Sequence, residues 1–349
     1  MNGSRTWRIG LIGFGNVGQG FVRVLARKEV MLREKYGFNF KIVGIADPVK
    51  GSVFDPNGLD PRKLIELVDR YGNIKAYEGG RKDIDSLTLC RSGDVDIIVE
   101  VTPTNVKTGE PGLTHIREAL SNGKHVVTSN KGPIALAYRE LKELAEKKGV
   151  MLRFEGTVLS GTPAINLALE SLAGAEISKV EGIVNGTTNF ILTKMEEGLT
   201  FEEALKEAQR LGYAEADPTA DIEGWDAAVK AVIIANVIMG ASITLNDVER
   251  EGISRISKED VANALKEGKK IKLLAEVVRE DGKVKASVKP TKIPLTHPLA
   301  GVSGPINALT LHTDTLGRVT IIGPGAGRVE TGQAILSDVL AIYRYVRGA

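Results

Sequence analysis

The segment Gly13-Phe14-Gly15-Asn16-Val17-Gly18 constrains what this chain can fold into more than any other. It fits the pattern G-x-G-x-x-G. It directly follows an apolar run at residues 7–13, which reads as a buried strand, and it opens a stretch of helical periodicity from Asn16 to about Arg33. In that context each glycine has a task. The first permits a tight turn, the second lets backbone approach a pyrophosphate, and the third lets helix and strand pack closely. The N–H groups at the helix start, with the helix dipole, hold phosphate charge. The motif therefore predicts dinucleotide binding by Gly13, Phe14, Gly15, Asn16, Val17 and Gly18.

The following residues keep the same rhythm. Strands are predicted at 41–46, 95–101 and 124–128, and helices at 61–71, 112–122 and 134–148, with a Gly-, Pro- and Asp-rich loop at 47–61. Strands separated by helices indicate α/β architecture with a Rossmann-type, doubly wound parallel sheet. Beyond residue 150 the pattern changes. Residues 151–154 and 176–184 read as strands, 164–172, 201–211 and 224–240 as helices, and 271–278 and 284–289 as a hairpin joined at Asp281-Gly282. A last strand at 320–322 and a closing helix at 332–346 complete the chain. The expectation is a dinucleotide-binding domain at 1–150 and an α+β substrate and dimerisation domain at 151–319, with 320–349 packing back on the first.

Composition excludes several function classes. A formal net charge of +2, with no block of like charges, supplies no concentrated basic face for nucleic acid. The longest apolar stretch, 231–240, is interrupted by Asn236 and is too short for a membrane span, and the N-terminus reads as a strand rather than a signal peptide. A single cysteine, Cys90, fits a reducing compartment, so a cytoplasmic location is expected. Cys90 has neither a histidine nor a glycine turn beside it and reads as a small core residue. The four histidines lack ligand spacing, which argues against zinc.

Asp47 stands at the end of the second strand, where an acidic residue binds a ribose 2′-hydroxyl and favours NAD. Lys50 is close enough to meet a 2′-phosphate, which favours NADP. Both cofactors remain open. Thr102 and Pro103 follow the strand at 95–101, at the place where switch-point ligands bind, and Lys131 follows the strand at 124–128 toward the same crevice. Asp226 and Lys230 are spaced i, i+4 and share a helix face. The neighbours of Lys230 are Ala227, Ala228, Val229, Ala231, Val232, Ile233 and Ile234. A lysine among them is partly buried. Burial lowers a lysine's pKa and a nearby carboxylate opposes that shift, so such a lysine can act as general acid or base.

Several long segments, in order, resemble homoserine dehydrogenases: GFGNVG, TGEPGLTHIREALSNGKHVVTSNKGPIAL, FEGTVLSGTPAIN, GIVNGTTNFILTKMEEG, LGYAEADPTADIEGWDAAVKA and THPLAGVSGPINAL. The resemblance spans essentially the whole chain. It implies interconversion of L-homoserine and L-aspartate 4-semialdehyde with NADP or NAD, in threonine, methionine and isoleucine biosynthesis. Lys230 would be the general acid/base with Asp226 beside it. Glu215 and Asp221 would hold the substrate's amino group, and Asn185, Gly186, Thr187 and Lys131 would line its pocket. Lys131 and Thr102 would sit by the nicotinamide. A structural monovalent cation, usually sodium, would be held by Glu155, Val158, Ser160 and Thr162, the last three through main-chain oxygens. A homodimer is expected. The resemblance is to a short form, without regulatory ACT or aspartokinase domains.

Two rival readings make different demands. An aldehyde dehydrogenase that forms a thioester needs a nucleophilic cysteine, for which Cys90 is poorly placed. A silent dinucleotide sensor has no need of the acidic loop and Lys230.

Overall fold

The structure is a computed structural model and describes residues 5–348. It divides into two compact units: residues up to Thr157 together with those from Gly327 onward, and Val158–Ala326.

The first unit is built on six strands: β1 (Thr6–Ile12), β2 (Asn39–Ala46), β3 (Val53–Leu59), β4 (Ile97–Glu100), β5 (His125–Thr128) and β6 (Leu152–Arg153). Their order is β3-β2-β1-β4-β5-β6. Pairing is parallel except between β2 and β3. Ile97, Ile98 and Val99 are all fully buried, and successive strand residues face opposite sides, so the sheet is covered on both faces. The sheet turns in opposite directions from β1, which creates the switch point between β1 and β4.

Two segments differ from the sequence reading here. Residues 47–61 are not all loop, because β3 adds an antiparallel edge that glycine- and proline-rich composition conceals. Residues 151–154 do not open the second domain. Leu152 and Arg153 extend the first sheet alongside β5, so the unit ends later than residue 150.

The helix Asn16–Tyr36 runs past Arg33 and stops where Gly37 turns left-handed at φ 65°. Against it lies the C-terminal helix Arg328–Gly348. Close approach depends on glycine. A Cβ on Gly20 would fall 1.9 Å from the Arg328 carbonyl oxygen, and one on Gly332 would fall 2.6 Å from Gly20 backbone. Phe21, Leu25, Ile335 and Val339 fill the seam and merge with the core of the sheet.

The second unit carries β7 (Ile177–Ile183), β8 (Val248–Arg250), β9 (Lys269–Glu280), β10 (Lys283–Pro294), β11 (Ile306–Thr313) and β12 (Gly317–Pro324), in the order β12-β11-β7-β9-β10-β8. Asp281 and Gly282 both take positive φ, 48° and 75°, as a two-residue hairpin turn requires. The last strand corrects the expected return at residue 320. β12 pairs with β11 over its full length, so the chain rejoins the first unit only from Gly327. The helix expected at 164–172 is also broken, into a short turn Ala164–Asn166 and a wider-turned segment Leu167–Ser171. The helix Gly186–Glu196 went unread in the sequence. It has apolar and polar residues on every side and nearly all are buried, so no amphipathic stripe marks it.

Candidate active site

In the first unit a cleft of about 780 Å³ opens beyond the carboxyl ends of β1, β2 and β4. The three motif glycines meet different surroundings. Gly13 has φ +92° and a Cβ there would lie 2.6 Å from the Val101 carbonyl oxygen. A Cβ on Gly18 would lie 2.6 Å from the Gly13 oxygen. A Cβ on Gly15 would meet nothing within 4 Å. Two glycines thus serve the protein's own packing and the middle one faces open cleft. Gly15 caps the helix Asn16–Tyr36 without a side-chain hydrogen bond, and the first turn holds no acidic residue. Its N–H groups and dipole suit a pyrophosphate. These residues fit a dinucleotide.

Asp47, Lys50, Thr102 and Pro103 surround the same opening, with Asn16 and Val17, while Phe14 is fully buried. Asp47 does more than face a ribose. One oxygen accepts from Phe14 N at 2.6 Å, tying the glycine loop to β2, and the other accepts from Val49 N and Lys50 N at 2.8 and 2.7 Å. Lys50 lines the cleft while its ammonium donates to the Gly72 carbonyl at 2.8 Å. Ile84, Asp85 and Ser86 form part of the wall, which the sequence reading missed. Asp85 caps the short helix Ser86–Arg91, and an Asp ahead of an apolar turn was its only signal.

Lys131 is the first residue of the helix Lys131–Lys148, capped by Asn130. A cation there opposes the helix dipole. Cys90 is buried, and burial pushes its thiol up to about 12, which removes it as a nucleophile.

In the second unit the chain turns from β7 into the helix Gly186–Glu196 at Val184 and Asn185. Asn185 caps that helix by accepting from Thr188 N. Its amide then donates to two carboxylates, Asp221 Oδ1 at 2.7 Å and Asp226 Oδ2 at 3.0 Å. Gly224, with φ 77°, separates the short helix Thr219–Ile222 from the helix Trp225–Val237. The left-handed link lets carboxylates from both helices reach one amide. Lys230, only 7% exposed, ion-pairs with Asp226 Oδ2 at 2.7 Å and donates to the Val184 carbonyl at 2.6 Å. Burial pushes the Asp221 carboxyl above the usual range and the Asp226 charge adds to the push, against the Asn185 hydrogen bond.

Asn185, Asp221, Asp226 and Lys230 are therefore one hydrogen-bonded cluster. Thr187 adjoins it beside the Asp221 carboxyl, and its hydroxyl donates to the Tyr213 carbonyl at 2.6 Å. Glu215 lies exposed on the acidic loop, outside that cluster. The Val184 carbonyl was missed, because a backbone oxygen carries no sequence signal.

Of the residues expected to hold a cation, Glu155 is buried in the first unit, where its N–H donates to Asp338. Val158, Ser160 and Thr162 are buried in the second, with Ser160 left-handed at φ 52°. Among the described residues no group of three or more His, Cys, Asp or Glu side chains could hold a metal ion, and no helix is long and apolar enough to cross a membrane.

A family model described as homoserine dehydrogenase matches residues 163–340, and one described as homoserine dehydrogenase, NAD binding domain, matches residues 13–155. A homoserine dehydrogenase of Methanocaldococcus jannaschii is 48% identical over 95% of this chain and 97% of its own. An NAD(+)-dependent homoserine dehydrogenase of Pseudomonas canavaninivorans is 45% identical over 97% of this chain and 96% of its own. The crystal structure of a putative homoserine dehydrogenase from Archaeoglobus fulgidus superposes with a TM-score of 0.87 at 42% identity, covering 97% of this chain and 99% of that one.

Proposed function

This chain belongs to the homoserine dehydrogenase family, an NAD(P)-dependent oxidoreductase family, and we propose that Lys230 is the general acid/base of its reaction. The observation that carries the proposal is a buried lysine held at 2.7 Å by Asp226 and at 2.6 Å by a main-chain oxygen. Two fixed acceptors hold the amine in place, and a buried amine in a polar cluster is rigid enough to aim a proton.

In the oxidative direction neutral Lys230 Nζ takes the proton of the homoserine hydroxyl, and Asp226 stabilises the ammonium that forms. When bound, a nicotinamide cofactor supplies the two-electron acceptor for the C–H bond of the same carbon. In the reductive direction the Lys230 ammonium donates to the oxygen. Asp221, with Glu215 from the exposed loop, binds the substrate's ammonium group, and Asn185, Gly186 and Thr187 form the pocket wall. Asn185 also keeps Asp221 and Asp226 apart as two separately bonded carboxylates. Thr102, Pro103 and Lys131 border the nicotinamide, and Lys131 serves the substrate as well. The glycine loop holds the pyrophosphate, and Asp47 and Lys50 permit both NAD and NADP.

A structural monovalent cation belongs to this reading, with Glu155, Val158, Ser160 and Thr162 as ligands. Hard monovalent ions take oxygen donors, and a buried carboxyl and a left-handed Ser160 turn suit them. Family membership also supports a cytoplasmic homodimer working in threonine and methionine biosynthesis.

The test is direct. Purified protein is mixed with L-homoserine and either NAD or NADP at mildly alkaline pH, and reduced cofactor is followed by absorbance. Growth of the signal, abolished by Lys230→Ala, is expected. A Lys230→Ala enzyme with near wild-type turnover overturns the role of Lys230.

A further inference from the structure

Glu100 ends β4 at the switch point and is fully buried. A carboxyl group there is costly, because a buried acid needs compensation. Its partners are unusual in where they lead. Oε1 accepts from Thr102 N at 3.0 Å and also, at short range, from the Thr102 hydroxyl. Oε2 accepts from the Thr128 hydroxyl at 3.1 Å, at the end of β5. Thr102 faces the dinucleotide cleft.

We propose that Glu100 is a positioning residue for the nicotinamide end of the cofactor, acting through Thr102. A threonine hydroxyl can donate or accept. With its proton committed to Glu100 and one lone pair accepting from Asn130 Nδ2 at 3.5 Å, the Thr102 hydroxyl has only a lone pair left for the cleft. An acceptor-only group fits the amide N–H of a carboxamide and rejects its carbonyl, so Glu100 selects one orientation of the nicotinamide. Thr128 holds the second carboxyl oxygen and keeps Glu100 from rotating away.

A separate observation points to the same place. His115, 7% exposed, lines the cleft, and its Nδ1 is buried without a hydrogen-bond partner, 3.8 Å from Glu100 Oε1. That nitrogen is one more polar atom of this wall gathered beside the Glu100 carboxyl. Gly112 lets the backbone approach Glu100 and Asn130 closely. A Cβ there would lie 2.5 Å from Asn130 Nδ2 and 3.1 Å from Glu100 Oε2.

The inference rests on the reading that Thr102 borders the nicotinamide, and binding measurements separate the two. Affinity is measured for the reduced cofactor that binds tighter, NADH or NADPH, and for the matching ADP-ribose or 2′-phospho-ADP-ribose, which lacks the nicotinamide. In Glu100→Gln the cofactor is expected to bind about tenfold more weakly, or about 1.4 kcal/mol, while the ADP-ribose ligand stays within about twofold. On a Thr102→Val background Glu100→Gln is expected to add less than about a further twofold, because the two act as one unit. Equal loss for both ligands, no loss, or additive losses overturn the inference. If the wild-type chain binds both ligands equally, the placement of Thr102 fails and the inference with it. If the wild type discriminates and Glu100→Gln leaves that intact, the inference fails alone. Should the glutamine variant not fold, Glu100→Asp, which withdraws the carboxyl by one methylene, carries the same expectations.

Discussion

The Lys230 ammonium donates to the Val184 carbonyl oxygen at 2.6 Å, so a side chain on one helix is aimed by the backbone that enters another. Lys230→Ala should therefore lower kcat by about 10²–10⁴-fold, the usual worth of a positioned acid/base. Cofactor affinity, measured by quenching of reduced-cofactor fluorescence, should stay within about twofold, because the dinucleotide cleft lies in the other unit. A parallel loss of cofactor binding would point to unfolding instead.

The motif glycines should separate by readout. Gly15→Ala has room for its Cβ in the protein and should keep the wild-type melting temperature, yet bind cofactor about 10–100-fold more weakly by crowding it. Gly13→Ala meets the Val101 carbonyl at 2.6 Å in a backbone conformation that disfavours side chains. It should cost about 1–3 kcal/mol and lower the melting temperature in calorimetry. Equal melting temperatures for the two variants would refute the distinction.

Asp47 and Lys50 should not behave as mirror images. Asp47 holds Phe14 N at 2.6 Å, so Asp47→Ala should loosen the glycine loop and weaken NADH and NADPH together. Lys50→Ala should weaken NADPH alone, by about 10–100-fold for a charge-assisted contact to the 2′-phosphate. Titration of both cofactors against both variants checks this. An NADH-specific loss in Asp47→Ala would restore a simple ribose-binding role.

His125 predicts a pH dependence of stability. Burial, with a smaller push from Arg5, lowers its pKa to about 4, and its Nδ1 accepts from Met151 N at 3.0 Å, which requires the unprotonated nitrogen. The folded-state pKa lies below the unfolded value near 6.5. The unfolded chain therefore takes up the proton first, and stability falls as pH drops from about 6.5 toward 4. His125→Gln should lose less across that window, by roughly 2–4 °C in melting temperature between pH 7 and pH 5. Identical pH profiles would show that His125 contributes nothing.

Much of the first unit, and one side-chain pair of the second, was legible because those signals are local. The glycine motif, the alternation of strand and helix, and the i, i+4 spacing of Asp226 and Lys230 depend only on backbone geometry within a few residues. Asn185 was named through resemblance, and its chemistry was not visible. The amide bridges carboxylates 36 and 41 residues away, which only the fold brings together. The same holds for β3, whose partner strand pays no heed to its glycine- and proline-rich composition, and for β12, assigned to a sheet by its pairing with β11. Glu100 read as the end of a strand. Its hydrogen bonds to Thr102 and Thr128 arise because β4 and β5 lie side by side and end together, and strand register is a property of the pair. Periodicity and spacing thus determined which residues could carry chemistry, while non-local pairing decided which of them share a proton, a carboxylate or a cleft.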